Sequence, residues 1–115
     1  MVIKKYNEVP YEDKSGYEGI KKQFLIGPRD GSNEIIMRCF SVEPGFSTPR
    51  HNHDFPHLVK VEKGNGIVID KDGNKHKLSP GSLIYVEDNE VHNFENTGNE
   101  SFEIICIVPQ RGEKC

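Results

Sequence analysis

An all-β fold, a sandwich or closed barrel of many short strands, is what the patterning of this chain predicts. Apolar and polar residues alternate along most of its length, and helical periodicity is nearly absent. Turn-forming Gly, Pro, Asn and Asp punctuate the alternating runs at short, regular intervals, which favours a sandwich or barrel over βαβ units.

Residues 1–18 are polar and hold Pro10 and Gly16, so they predict little regular structure beyond a β-prone stretch at 2–6. The first strand is 20–26, stopped by Gly27-Pro28, and the second is 34–42, stopped by Glu43-Pro44-Gly45. A third, 47–53, ends in the break Asp54-Phe55-Pro56, after which His57 opens the strand 58–63. Gly64-Asn65-Gly66 separates that strand from 66–70, and Asp72-Gly73-Asn74 leads to 75–78. Ser79-Pro80-Gly81 precedes 82–86, then come 91–95, the turn Asn96-Thr97-Gly98-Asn99, and the last strand, 102–108.

A length of 115 residues predicts one domain, 1–115, with no internal repeat or linker. The net charge of −3, with both signs interspersed, points to neither nucleic acid nor an anionic membrane as partner. No apolar run approaches a transmembrane span, and the N-terminus lacks a signal-peptide stretch, so a cytoplasmic location is expected. Three cysteines, Cys39, Cys106 and Cys115, fit reduced thiols better than a disulfide framework, with Cys115 a frayed surface thiol.

Four of the five histidines are spaced as metal ligands. His51 and His53 lie two apart, so on extended backbone both imidazoles face one side. His57 follows across the break, and His92 arrives from a distant strand. Neutral imidazole is the commonest ligand of borderline divalent metals. His76, beyond the Asp72-Gly73 turn among lysines, reads instead as solvated.

Strand parity gives each ligand-bearing run a sensible inside and outside. His57 inward takes Val59 and Val61 with it and leaves Lys60 and Glu62 outside. His92 inward takes Phe94 and leaves Asn93 and Glu95 outside. His51 and His53 inward leave Arg50 and Asn52 outside. Phe55, Phe94 and one face of the last strand, Ile104, Cys106 and Val108, either wall a pocket over the metal or fill the barrel core. Arg38, in the apolar run 35–40, is either an outward strand residue or a buried cation that needs a carboxylate or an anionic ligand. Cys106, if inward, reads first as a small core residue.

The frame around the histidines is Gly45, five residues, His51-Asn52-His53, three residues, His57, six residues, Gly64; then Gly81, ten residues, His92, three residues, Asn96. It resembles the two motifs of the cupin superfamily, here at 45–64 and 81–96. The resemblance implies a double-stranded β-helix, or jelly-roll barrel. Three positions depart from the family pattern: His57 stands where the family usually has a glutamate ligand, and Glu87 and Asn89 replace a proline and a glycine. Asn tolerates positive φ, so Asn89 can serve as the turn residue. His57 converts three His plus one Glu into four His.

Four protein ligands on a six-coordinate ion leave two positions for water, substrate or dioxygen, and four neutral imidazoles leave its dipositive charge uncancelled. The chain is similar to small bacterial four-histidine cupins of the manganese-binding type, a likeness that extends to Met37-Arg38, Val42-Glu43-Pro44-Gly45, Val91-His92-Asn93-Phe94 and the run 105–109. That likeness implies a homodimer with one divalent transition metal per chain, manganese first and Fe, Ni, Zn or Cu as alternatives. An oxygenase-like oxidoreductase acting on a small metal-coordinated substrate is the function expected, with His51, His53, His57 and His92 as ligands and Arg38, Phe94, Ile104 and Cys106 lining the pocket. A ligand-binding or sensor module, and a metal-dependent isomerase or lyase, are the alternatives. The β-prone stretch 2–6 is the strand expected to lie on a partner's sheet.

Overall fold

The computed structural model describes residues 1–12 and 16–114; Cys115 lies outside the described residues. Among the described residues eight strands follow one another: β1 (Ile20–Ile26), β2 (Ile35–Val42), β3 (His57–Lys63), β4 (Gly66–Ile69), β5 (Lys75–Leu78), β6 (Leu83–Val86), β7 (Asn93–Asn96) and β8 (Phe102–Pro109). Short 3-10 turns occupy Tyr6–Glu8, Pro28–Asp30 and Gln110–Lys114. No helix among the described residues is long and apolar enough to cross a membrane.

The strands form two antiparallel sheets, one in the order β1-β2-β8-β3-β6 and the other β5-β4-β7. This is the expected all-β jelly roll. Period-two alternation sets which side chains enter it. On β8, Phe102, Ile104, Cys106 and Val108 are buried, whereas Glu103, Ile105 and Ile107 are only partly covered. On β3, His57, Val59 and Val61 are buried beside exposed Leu58 and Lys60. These inward faces meet Val68, Leu78 and Phe94 of the smaller sheet in one core. Where β4 passes β7 and Phe102 of the larger sheet, a Cβ on Gly66 would stand 2.5 Å from the Glu95 carbonyl oxygen and 2.7 Å from the Phe102 ring. Only glycine fits there.

Seven of the expected strands match an observed strand within a residue at either end, and the strand expected at 91–95 begins two residues late. The strand expected over 47–53 does not form. That stretch touches the sheet through two isolated bridges, Ser47 to Glu95 and His51 to His92. Pro49 lies between them, and a residue with no N–H cannot sustain a ladder. A second correction concerns Asn93, expected outside but buried. Arg50 folds over it, donating from Nη1 to Asn93 Oδ1 at 3.0 Å and from Nη2 to the Asp70 carbonyl at 2.6 Å.

Residues 1–5 form no strand within the chain. Tyr6 to Tyr11 lie over the outer face of the larger sheet. Gln23 Nε2 donates to the Tyr6 and Val9 carbonyls at 3.2 and 2.7 Å, and the Tyr6 hydroxyl bonds to Glu103. Tyr6 and Tyr11 thereby cover Cys39, whose thiol burial pushes up to about 11. Elsewhere on that outer face several large apolar side chains remain exposed. Register aligns Met37, Ile107, Leu58 and Tyr85 in one row across β2, β8, β3 and β6. Ile35, Leu58, Leu83 and Tyr85 are each more than half exposed.

Candidate metal centre

The site is assembled by one reciprocal backbone pair. His51 N–H donates to the His92 carbonyl at 3.1 Å and His92 N–H to the His51 carbonyl at 3.0 Å, which sets the two side chains on the same side. His53 follows two residues after His51, with its ring centroid 4.3 Å from that of His51. The turn before His92 is tied to it: Asn89 N–H donates to the His53 carbonyl at 2.6 Å. Asn89 has φ 62° and is the one non-glycine residue of positive φ among those described. The side chain that replaces the family's glycine therefore holds the conformation expected of it.

Ligating atoms of His51, His53 and His92 all lie within 4.8 Å of one another, a donor set and separation suited to one divalent ion. His57 stands at the flank of this trio. Its Nε2 is 2.6 Å from His53 Nε2, and its ring centroid is 5.3 Å from that of His92. His92 Nδ1 lies 2.8 Å from the Glu90 carbonyl oxygen. A carbonyl only accepts, so Nδ1 carries the hydrogen and Nε2 keeps its lone pair for a metal. Phe55, a candidate pocket wall, backs the histidines instead. It stacks on His53 at 4.4 Å and on His57 at 5.3 Å between centroids, and it belongs to the core.

The electrostatics favour the neutral form of His51, His53 and His57. Burial, followed by the neighbouring His51, His92 and Arg38, lowers His53 to about 4. Burial and the charges of His53, His92 and Arg38 lower His57 to about 3. Burial and His92 lower His51 as well. A neutral imidazole is the form that binds metal.

Above the histidines lies a cavity of about 260 Å³. Of the expected lining residues, Arg38, Phe94, Ile104 and Cys106 all face it, and Phe94, Ile104 and Cys106 belong to the core as well. The two uses weighed for them are thus one and the same surface. Val108 packs in the core without reaching the cavity. Arg38 is 2% exposed and inward. Its Nη2 donates to Cys106 Sγ at 3.3 Å, and its guanidinium lies 5.1 Å from the Phe40 ring centroid. Tyr17, Ile20, Phe40, Thr48, Pro49 and Asn52 complete the lining and were not anticipated. Parity with Arg38 marks Phe40 as inward; nothing in the sequence marks Tyr17. His76 is exposed, as expected, and pairs with Asp70 at 2.7 Å.

A cupin-domain family model matches residues 38–108. Auxin-binding protein 1 of Arabidopsis thaliana is 24% identical over 116 residues, covering 93% of this chain and 58% of that protein. The transcriptional activator RhaS of Yersinia pestis is 41% identical over 54 residues, 47% of this chain and 19% of the activator. This chain thus spans less than two thirds of either relative. Among solved structures, the polyketide cyclase RemF of Streptomyces resistomycificus superposes with a TM-score of 0.87 at 25% identity, over 96% of this chain and 80% of that one.

Proposed function

The chain belongs to the cupin family, and we propose that it is a metal-dependent enzyme that transforms a small enolic or anionic molecule above His51, His53, His57 and His92. One observation carries the reading. The histidines converge at the floor of a cavity whose other walls are largely apolar, with one guanidinium, Arg38, and no carboxylate among its lining residues. When bound, the ion would supply Lewis acidity and, as manganese or iron, redox capacity.

The chain's own residues supply the rest. Four neutral imidazoles hold a dipositive ion without cancelling its charge, and Arg38 adds a second fixed positive centre, so an oxyanion or carboxylate is the ligand favoured. Phe40, Phe94 and Ile104 exclude water and take the apolar body of the molecule, and in such a dry site each fixed charge acts more strongly. Arg38 orients the anionic group.

Oxygenase-like oxidation with manganese is the first reading of the reaction. Lewis-acid chemistry of the cyclase, isomerase or lyase type is the second, favoured by the likeness to a polyketide cyclase over nearly the whole chain. A sensor or binding module is the third, favoured by the match to part of RhaS and the likeness to an auxin-binding protein. We place the protein in the cytoplasm as a homodimer; its buried thiols Cys39 and Cys106, outside any disulfide, suit a reducing compartment.

Elemental analysis of protein purified without added metal should find close to one transition ion per chain, and His51→Ala or His92→Ala should empty most of it. Apo-protein reloaded with Mn, Fe or Zn is then assayed on catechols, enols and enolisable polyketones with dioxygen present. Turnover with Mn or Fe and not Zn supports oxidation; equal turnover with Zn supports Lewis-acid chemistry. Saturable binding with no turnover in any form makes the protein a binding module and refutes the enzyme reading.

A further inference from the structure

A sulfur at the cavity floor has no part in the metal reading. Cys106, 4% exposed, lies directly opposite Arg38 in the β2–β8 ladder and opposite Val59 in the β3–β8 ladder. Its Sγ is 3.0 Å from His57 Nδ1 and 3.3 Å from Arg38 Nη2. The other nitrogen of His57, Nε2, faces the histidine cluster. The ring is strung between a sulfur on one side and its fellow ligands on the other.

A guanidinium only donates, so the sulfur accepts from Arg38. The bond to His57 has two possible directions, with opposite consequences. With the ring hydrogen on Nδ1, His57 donates to sulfur and its Nε2 lone pair is available to a metal. With S–H donated to Nδ1, the ring hydrogen moves to Nε2, and that nitrogen cannot ligate. Position 106 therefore bears on whether the cluster has three ligands or four.

We propose that Cys106 is a positioning residue whose sulfur, accepting from both Arg38 and His57 Nδ1–H, makes His57 a ligand by holding its Nε2 lone pair on the cluster side. This rests on the reading of His57 as the fourth ligand. The Glu90 carbonyl performs the same service for His92 from the backbone. Cys106 performs it from a side chain, so one substitution can remove it. Valine is apolar, about a methyl group larger than cysteine, and accepts nothing, whereas serine keeps an acceptor. Partners of this kind typically change metal affinity 10–100-fold when removed.

Five proteins are compared: the unsubstituted chain, Cys106→Ser, Cys106→Val, His57→Ala, and His57→Ala with Cys106→Val. Zinc affinity is measured by chelator competition. In the metal-free proteins that retain His57, ring ¹⁵N shifts report its tautomer, and thermal melts confirm folding. Cys106→Val should lower affinity 10–100-fold in the unsubstituted background and have no effect in the His57→Ala background, a coupling that only an interaction between the two residues produces. Cys106→Ser should recover most of the loss, and His57 should be Nδ1–H with cysteine or serine and mixed with valine. Equal losses in both backgrounds, or a His57 that is Nε2–H beside cysteine, overturn the positioning role and leave the four-histidine reading intact. An unchanged affinity on His57→Ala overturns that reading itself, and the positioning role with it.

Discussion

Acidifying the metal-free protein should destabilise it, and His57 should carry a measurable share of the loss. Burial and neighbouring charge hold its imidazole at about 3 in the folded chain, whereas in an unfolded chain it titrates near 6.5. Between these values the unfolded state binds a proton that the folded state refuses. The stability that neutral His57 contributes is therefore complete above pH 6.5 and is lost as pH falls from there toward 3. At pH 5.5 the unfolded imidazole is about nine-tenths protonated, which favours unfolding by on the order of 1 kcal/mol. In a chain of this size that is a fall in Tm of about 4 °C. The assay is thermal unfolding in chelator at pH 8, 6.5 and 5.5, for the unsubstituted chain and for His57→Gln. The unsubstituted chain should lose about 4 °C more than the variant between pH 8 and 5.5. Parallel pH profiles would refute the reasoning, because they would mean that His57 titrates alike in both states.

Asn96→Leu should lower stability by about 2–4 kcal/mol at an unchanged m-value in urea, because Nδ2 donates to the Val42 and Glu100 carbonyls at 2.8 Å each and Oδ1 accepts from Gly98 N–H at 2.9 Å; a loss below about 0.5 kcal/mol contradicts it. The exposed apolar side chains on the outer face of the larger sheet should form the dimer contact, so Leu58→Lys with Tyr85→Lys should halve the mass seen by light scattering without changing metal content. An unsubstituted chain that is already monomeric at micromolar concentration rules the dimer out.

Much of this molecule is legible in the sequence because its decisive regularities are local. Period-two alternation and turn residues place β1 to β6 and β8 to within a residue, since the pleat and the φ preferences of Gly, Pro and Asn act over only a few positions. The spacing of His51, His53, His57 and His92 identifies the cluster, and the tolerance of asparagine for positive φ anticipates the Asn89 turn. What the sequence misjudged depends on contacts between distant segments. Alternation over 47–53 predicts a strand, but pairing there is interrupted at Pro49 and survives as two bridges. Asn93 obeys parity and is buried nonetheless, because Arg50 reaches across to cover it. The direction of Arg38, left open between outside and inside, is decided by the β2–β8 register that sets it against Cys106. The sequence by itself determined the all-β class, the ligand set worth testing and the turn chemistry. Tertiary structure alone decided that Tyr17, Ile20 and Phe40 share a cavity with those histidines, and that the sulfur of Cys106 lies within bonding distance of both His57 and Arg38. Such non-local proximity follows from sheet register and closure, which no local pattern encodes.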